Sequence, residues 1–122
     1  MSLKEKIERF KYPVNGFRIA WKEEPSFRFH IMWALLTLMC AYLLKVSKIE
    51  FVIIISMIGF VLVAELFNTA LEELCDKFQP THDPHVAKIK DLAAAAVSAA
   101  AIIAVIVGLV IFIPRVIILI TV

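Results

Sequence analysis

The sequence predicts an all-α integral membrane protein, with an N-terminal amphipathic surface helix followed by three transmembrane helices. The first observation is composition: of the 122 residues, 61% are hydrophobic, and the mean hydropathy is +0.88. Because a typical soluble domain is only about 45–50% apolar, the excess must face something other than water. The second observation is three long apolar runs. The third is a length that fits one domain, residues 1–122.

The apolar runs predict three spans, since a membrane helix needs about 20 mostly apolar residues. The first run, residues 29–44, lies between Arg28 and Lys45, whose long side chains can carry their charges to the interface. The last run, residues 92–113, is rich in alanine, which lets membrane helices approach closely. Pro114 is expected to end that helix. The spans are expected at about residues 27–45, 50–76 and 88–114.

The segment 1–24 is expected to lie on the membrane surface. Its apolar residues recur at helical spacing, and lysines and glutamates fill most other positions, which suits a helix in the headgroup layer. We expect a break at Pro13–Gly16, followed by a second helical face that includes the acid Glu24. The first face consists of Leu3, Ile7, Phe10 and Val14.

The distribution of lysine and arginine predicts the orientation in the membrane. Seven precede the first span and three lie between the second and third, whereas the opposite side has only Lys45, Lys48 and Arg115. The N-terminus and the second loop are therefore expected in the cytoplasm. The net charge of +2 is too small to suggest a nucleic-acid partner, and no glycine-rich phosphate loop occurs.

The second span carries a stripe of acids and amides that begins deep in its apolar part. On a helix, Asn68, Glu72 and Asp76 lie within about 60° of Glu65, and the stripe is roughly 16 Å long. A charge at membrane depth costs several kcal/mol, by order of magnitude, so it indicates a functional site. A solvated face would scatter its charges, whereas this helix aligns them.

The stripe predicts phosphoryl transfer from a cytoplasmic nucleotide to a membrane molecule. Carboxylates with few other ligands suit Mg²⁺, which keeps waters and shares phosphate oxygens with its protein ligands. A carboxylate shielded from water holds a proton more readily and makes a competent general base. The next loop leads to Lys88 and Lys90, just before the third span, and a lysine beside acids and a metal can bind phosphate.

Other interpretations remain open on the residues alone. The stripe could relay a proton or cation in a transport protein, although residues 51–64 contain Ser56 as their one hydroxyl and no charge. It could also be a docking surface of a structural membrane subunit. His82 and His85 have the spacing of a zinc ligand pair, but no further His or Cys lies in that loop, and a turn is favoured.

Three stretches resemble the prokaryotic diacylglycerol kinase family. "AELFNTALEELCD", residues 64–76, resembles the family's Glu-x-x-Asn-(Ser/Thr)-Ala-x-Glu-x-x-x-Asp pattern on its second membrane helix. "AKIKDLAAAAV" resembles the Lys-Asp pair that opens the third, and "NGFRIAWKEEPSFRFH" resembles the N-terminal block. The matches occur in order from about residue 10 to residue 115.

The resemblance implies a small homotrimeric lipid kinase of a prokaryotic cell membrane. It implies that the enzyme uses ATP and Mg²⁺ and that its active sites form between neighbouring subunits. It implies that Glu65 is the general base for the lipid hydroxyl and that Glu24 and Glu72 hold the metal–nucleotide complex. Further expected site residues fall in two groups. For the nucleotide they are Lys90, Asp91, Tyr12, Asp76 and Asp83, and for the lipid pocket they are Asn68, Phe27 and His30.

The family has an undecaprenol kinase branch and a diacylglycerol kinase branch, and the resemblance favours the first. His30 stands where the diacylglycerol branch usually has an acid, and the loop "HDPHVAKIKD" and the ending "VIVGLVIFIPRV" are more similar to the undecaprenol branch. Glu5 falls where the diacylglycerol branch has an arginine. The expected reaction is therefore phosphorylation of the primary hydroxyl of undecaprenol, with diacylglycerol as the alternative substrate.

Overall fold

The structure, a computed structural model, describes residues 1–122 and consists of helices without any strand. Three helices are long and apolar enough to cross a membrane, which confirms the predicted fold class of a surface segment followed by three spans. The helices are α1 (Leu3–Glu8), α2 (Lys11–Glu23), α3 (Pro25–Leu43), α4 (Lys48–Phe78) and α5 (Pro84–Thr121).

The expected break in the surface segment was placed one turn too late. The chain bends at Arg9–Phe10, and α2 then runs without interruption through Pro13 and Gly16. The ring of a proline clashes with the carbonyl group four residues earlier, which here belongs to Arg9. Breaking the helix at Arg9 leaves Pro13 in the first turn of α2, where its missing N–H is not needed.

The expectation that Pro114 ends the third span was also wrong. Helix α5 passes through Pro114 and ends only at Thr121. All residues after Arg115 except Thr121 are apolar, and their side chains are exposed. In a lipid environment a helix is the conformation that satisfies such backbone groups internally, so continuing the helix costs less than leaving several N–H and C=O groups unpaired.

Local signals fix where the helices begin. Ser2 and Ser47 each form a capping box with the glutamate three residues later, Glu5 and Glu50 respectively. Asp83 accepts hydrogen bonds from the backbone N–H groups of His85 and Val86, both at 2.9 Å, and so caps α5. Proline at the first position of α3 and of α5 is compatible with a helix start.

The three long helices pack in sequence order. Helix α4 lies between α3 and α5, its contact with α5 is the more extensive, and α2 packs against the start of α3. Only 7 of 122 residues are buried within the chain, so most apolar side chains face outward from this thin bundle. Apolar side chains on all sides are expected of helices that contact lipid or other membrane helices.

An ion pair joins α4 and α5 at the end of the bundle opposite the acids. The Arg115 guanidinium donates through Nη2 to Glu50 Oε1 and through Nε to Glu50 Oε2 at 3.1 Å. Its Nη1 donates to the backbone carbonyls of Lys45, at 3.0 Å, and of Leu44, at 3.4 Å. Arg115 thereby holds the end of α3, the α3–α4 turn and the start of α4 together.

We expect Glu50→Gln to lower the midpoint of thermal unfolding in detergent by several degrees. Glutamine also serves in a capping box, so the substitution preserves the helix cap and removes only the charge that Arg115 pairs with. Glu5→Gln is the matched control, because Glu5 forms the same capping box without a cation partner. Equal shifts in the two variants would show that the ion pair does not stabilise the bundle.

Candidate active site

Helix α4 presents the polar stripe as one continuous surface. The helix runs from Lys48 to Phe78 without a break, so Glu65 and the residues that follow it keep their helical spacing. Glu65 is only 4% exposed and is the one charged residue among the buried residues of the chain. A charge in such a position requires a compensating partner, since burial of an isolated carboxylate is costly.

The partner of Glu65 comes from α3. His30 lies in the second turn of α3, and its Nε2 is 3.5 Å from Oε2 of Glu65. Sequence analysis placed both residues at the site but did not predict their contact. Glu24 immediately precedes the same helix, so the start of α3 brings a second carboxylate towards the stripe.

Glu24 lies within electrostatic reach of the other acids. Burial raises the pKa of its carboxyl above the usual value, and the negative charges of Glu72 and Glu65 raise it further. The carboxyl groups of Glu24, Glu65 and Glu72 are therefore close enough to repel one another. Such a group attracts a cation, because a cation removes the repulsion among the carboxylates.

Further along the stripe, Asn68 connects to Glu72. The Nδ2 group of Asn68 donates to Glu72 Oε1 at 3.1 Å and so fixes the orientation of that carboxylate. The Oδ1 atom of Asn68 is buried and accepts no hydrogen bond within the chain. Buried polar atoms are almost always paired, so this oxygen is available to a donor from a ligand or from another chain.

At the end of the stripe, Asp76 pairs with Lys90 across the α4–α5 interface. The Nζ atom of Lys90 donates to Asp76 Oδ1 at 2.8 Å. Both residues were expected at the nucleotide site, and the structure brings them together. The pair anchors the start of α5 to the end of α4, which places the lysine at the end of the acidic stripe next to the α4–α5 loop.

Four other expected site residues do not join this cluster within one chain. Tyr12 is 67% exposed, with Lys11 Nζ 5.3 Å from its ring centroid. Asp83 caps α5, and Asp91 lines an open depression of about 490 Å³ beside Lys88. Phe27 is 3% exposed, and its ring centroid lies 6.5 Å from that of Phe17, so within the chain it packs α3 against α2.

Sequence analysis missed the role of Arg28. It was expected to extend to the membrane interface, but its Nη1 donates to the backbone carbonyls of Trp21, at 2.5 Å, and of Lys22, at 3.2 Å. These are unpaired carbonyls at the end of α2. Arg28 therefore fixes the corner that carries Glu24. The signal was present, because a cation close to the end of a helix commonly binds its last carbonyls.

The residues present fit a magnesium ion. The carboxylates of Glu24 and Glu72 influence each other electrostatically, and no group of three or more His, Cys, Asp or Glu side chains lies close enough to hold a metal. Mg²⁺ is usually held by one or two carboxylates together with waters and phosphate oxygens, whereas zinc and calcium require more protein ligands. The donor set therefore suits a metal that arrives with a phosphate-bearing molecule.

Comparison with known proteins identifies the family. The sequence model of the prokaryotic diacylglycerol kinase family matches residues 11–112, which include the whole polar stripe and its partners on α3 and α5. The chain belongs to the prokaryotic diacylglycerol kinase family. Its members named below are lipid kinases, and this protein is accordingly a lipid kinase.

Relatives from both branches of the family are similar over most of the chain. Undecaprenol kinase of Bacillus subtilis (strain 168) is 39% identical over 109 residues, which are 87% of this chain and 89% of the relative. Diacylglycerol kinase of Escherichia coli (strain K12) is 34% identical over 100 residues, 82% of each chain. Diacylglycerol kinase of Synechocystis sp. (strain PCC 6803) is 37% identical over 100 residues, 81% of this chain and 57% of the relative.

Proposed function

We propose that this lipid kinase transfers the γ-phosphoryl group of ATP, with Mg²⁺, to the primary hydroxyl of undecaprenol. The observation that carries the proposal is the buried Glu65 at the deep end of a stripe that continues to Glu72 and to the Lys90–Asp76 pair. A base at membrane depth and a phosphate-binding set near the cytoplasmic loop are what a kinase with a lipid acceptor requires.

In the proposed reaction Glu65 acts as the general base. Its carboxylate takes the proton of the lipid hydroxyl while the hydroxyl oxygen forms a bond to the γ-phosphorus and the bond to the bridging oxygen of ADP breaks. When bound, Mg²⁺ would neutralise phosphate charge and align the transferred group. Glu24 and Glu72 would hold that ion, and the hydrogen bond from Asn68 Nδ2 would help to orient the Glu72 carboxylate.

Lys90 is proposed to bind the transferred phosphoryl group. Within the chain its ammonium group pairs with Asp76. A phosphoryl group carries more negative charge than one carboxylate and offers several acceptor oxygens, so it competes effectively for the same three donors of Lys90. Asp91, Tyr12 and Asp83 remain candidates for contacts with the rest of the nucleotide.

We also propose that the protein works as a homotrimer, as the family resemblance implies. Two features support an assembly in which neighbouring chains complete each site. Tyr12 and Asp91 lie apart from the acidic cluster within one chain, and most apolar side chains of the spans are exposed on the single chain. Crosslinking of the purified protein in detergent tests this proposal, and a monomer that retains full activity would contradict it.

The proposed orientation has the N-terminus and the acidic end of α4 in the cytoplasm of a prokaryotic cell. It rests on the excess of lysine and arginine on that side. A cysteine introduced at Thr81, after replacement of Cys40 and Cys75, should react with a membrane-impermeant maleimide only in opened cells. A cysteine at Lys48 should react in intact cells, and the reverse pattern would overturn the orientation.

Undecaprenol is proposed over diacylglycerol because the undecaprenol kinase relative is 39% identical, against 34% for the Escherichia coli diacylglycerol kinase. Purified protein in detergent should receive labelled ATP, Mg²⁺ and the two lipids in the same mixture. We expect a kcat/KM for undecaprenol at least about 10-fold higher, a difference of roughly 1.4 kcal/mol in transition-state stabilisation. Preferential labelling of diacylglycerol would support the alternative substrate.

A further inference from the structure

The contact between His30 and Glu65 lies at the deep end of the polar stripe, away from the Lys90–Asp76 pair. No Lys or Arg nitrogen lies within 4.0 Å of the Glu65 carboxylate, and His30 Nε2, at 3.5 Å from Oε2, is its one cation-forming neighbour. Both side chains are shielded from solvent, with 19% of the His30 side chain and 6% of the Glu65 side chain exposed. A hydrogen bond in such surroundings is electrostatically stronger than one in water.

The histidine is held in place from its own helix. Helix α3 packs against α4, and the Phe29 ring meets the His30 ring edge to face with 5.8 Å between centroids. The packing of α3 on α4 therefore keeps the imidazole opposite Glu65. A shortening of the 3.5 Å separation by a few tenths of an ångström would bring Nε2 and Oε2 within the range of a hydrogen bond, about 2.7–3.2 Å.

We propose that His30 is a positioning residue for Glu65: its Nε2–H donates to Oε2, which orients the carboxylate and keeps Oε1 free for the lipid hydroxyl. This inference rests on the proposed role of Glu65 as the base. A donor at Oε2 favours the ionised carboxylate that the reaction needs. The lipid proton then passes to Oε1 as the lipid oxygen bonds to the γ-phosphorus and ADP leaves with the electron pair of the broken bond.

The first test compares three substitutions in the full-length protein in detergent. His30→Ala removes the donor and should lower kcat for the lipid by about 10- to 100-fold, with the KM for Mg–ATP unchanged. His30→Gln retains an N–H donor and should keep a larger share of the activity than His30→Ala. His85→Ala is the matched control, because His85 is exposed in the first turn of α5 and its replacement should leave kcat unchanged.

Chemical rescue separates positioning from a structural role. Free imidazole should restore part of the activity of His30→Ala and none of the activity of Glu65→Gln. If His30→Ala is as active as the wild-type protein, or is inactive without any response to imidazole while its oligomer and thermal stability are unchanged, the proposal is wrong. An inactive wild-type protein would instead overturn the proposed function.

A spectroscopic measurement tests the contact even without turnover. In protein labelled with ¹⁵N-histidine, the Nε2 resonance that disappears in His30→Gln belongs to His30. Replacing Glu65 by glutamine should shift that resonance, because the acceptor of the Nε2 proton loses its charge, and should leave His82 and His85 unchanged. An unchanged His30 resonance would show that the imidazole does not interact with Glu65.

Discussion

Replacing Glu65 with glutamine is expected to reduce phosphoryl transfer to the lipid by at least about 10²–10⁴-fold, the usual contribution of a general base. Glutamine has nearly the same shape as glutamate and cannot accept the hydroxyl proton. The folded oligomer should persist, because an amide in this buried position requires less compensation than a carboxylate. The measurement is the initial rate of labelled lipid phosphate formation, with size-exclusion elution as the check on assembly.

Glu73→Gln is the matched control for this variant. Glu73 lies on the same helix about 80° from Glu65, and it is exposed. The same chemical change at Glu73 should leave the rate within about a factor of two or three of the wild-type rate, because the substitution is exposed and away from the reacting groups. Full activity of Glu65→Gln, or equal losses of activity in the two variants, would show that Glu65 is not the general base.

Replacing Glu72 with glutamine is expected to raise the Mg²⁺ concentration required for half-maximal activity by about 10- to 100-fold. Changes around metal ligands typically lower metal affinity by a similar factor. The amide oxygen of glutamine can still accept the hydrogen bond from Asn68 Nδ2, so the local geometry should be retained. What is lost is the negative charge that would hold the ion. The measurement is the rate as a function of MgCl₂ at fixed ATP.

The response to Mg²⁺ distinguishes the role of Glu72 from that of Glu65. Glu72→Gln should recover a large part of its activity at high Mg²⁺, whereas Glu65→Gln should not respond to the metal. Glu23→Gln, an exposed acid next to Glu24, serves as the control. An unchanged Mg²⁺ requirement in Glu72→Gln would contradict the assignment of Glu72 as a metal ligand.

The spans and the polar stripe could be predicted because both depend on local sequence. A run of apolar residues predicts a membrane helix wherever it occurs, and the spacing of Glu65, Asn68, Glu72 and Asp76 predicts a shared face on any regular helix. The effects of proline were harder to predict. Pro13 moved the break to Arg9, and Pro114 did not end α5, because the surrounding chain decides how a helix accommodates the ring.

Contacts between distant residues could not be read from the sequence. Arg115 and Glu50 lie 65 positions apart, and their pairing depends on how α5 crosses α4. The same holds for His30 and Glu65, which meet only because α3 packs against α4 in this register. Sequence analysis named Lys90 and Asp76 as site residues, but their direct pairing across two helices required the structure.

The most direct test of phosphoryl transfer to a lipid hydroxyl is to follow the γ-phosphoryl group of ATP. Purified wild-type protein, Mg²⁺ and γ-labelled ATP should yield labelled undecaprenyl phosphate, with one ADP formed for each labelled lipid, and removal of Mg²⁺ by EDTA should stop both. Glu65→Gln should form neither product at a comparable rate. If ADP appears without labelled lipid, or if neither undecaprenol nor diacylglycerol receives the label, the polar stripe of α4 does not carry phosphoryl transfer to a lipid hydroxyl.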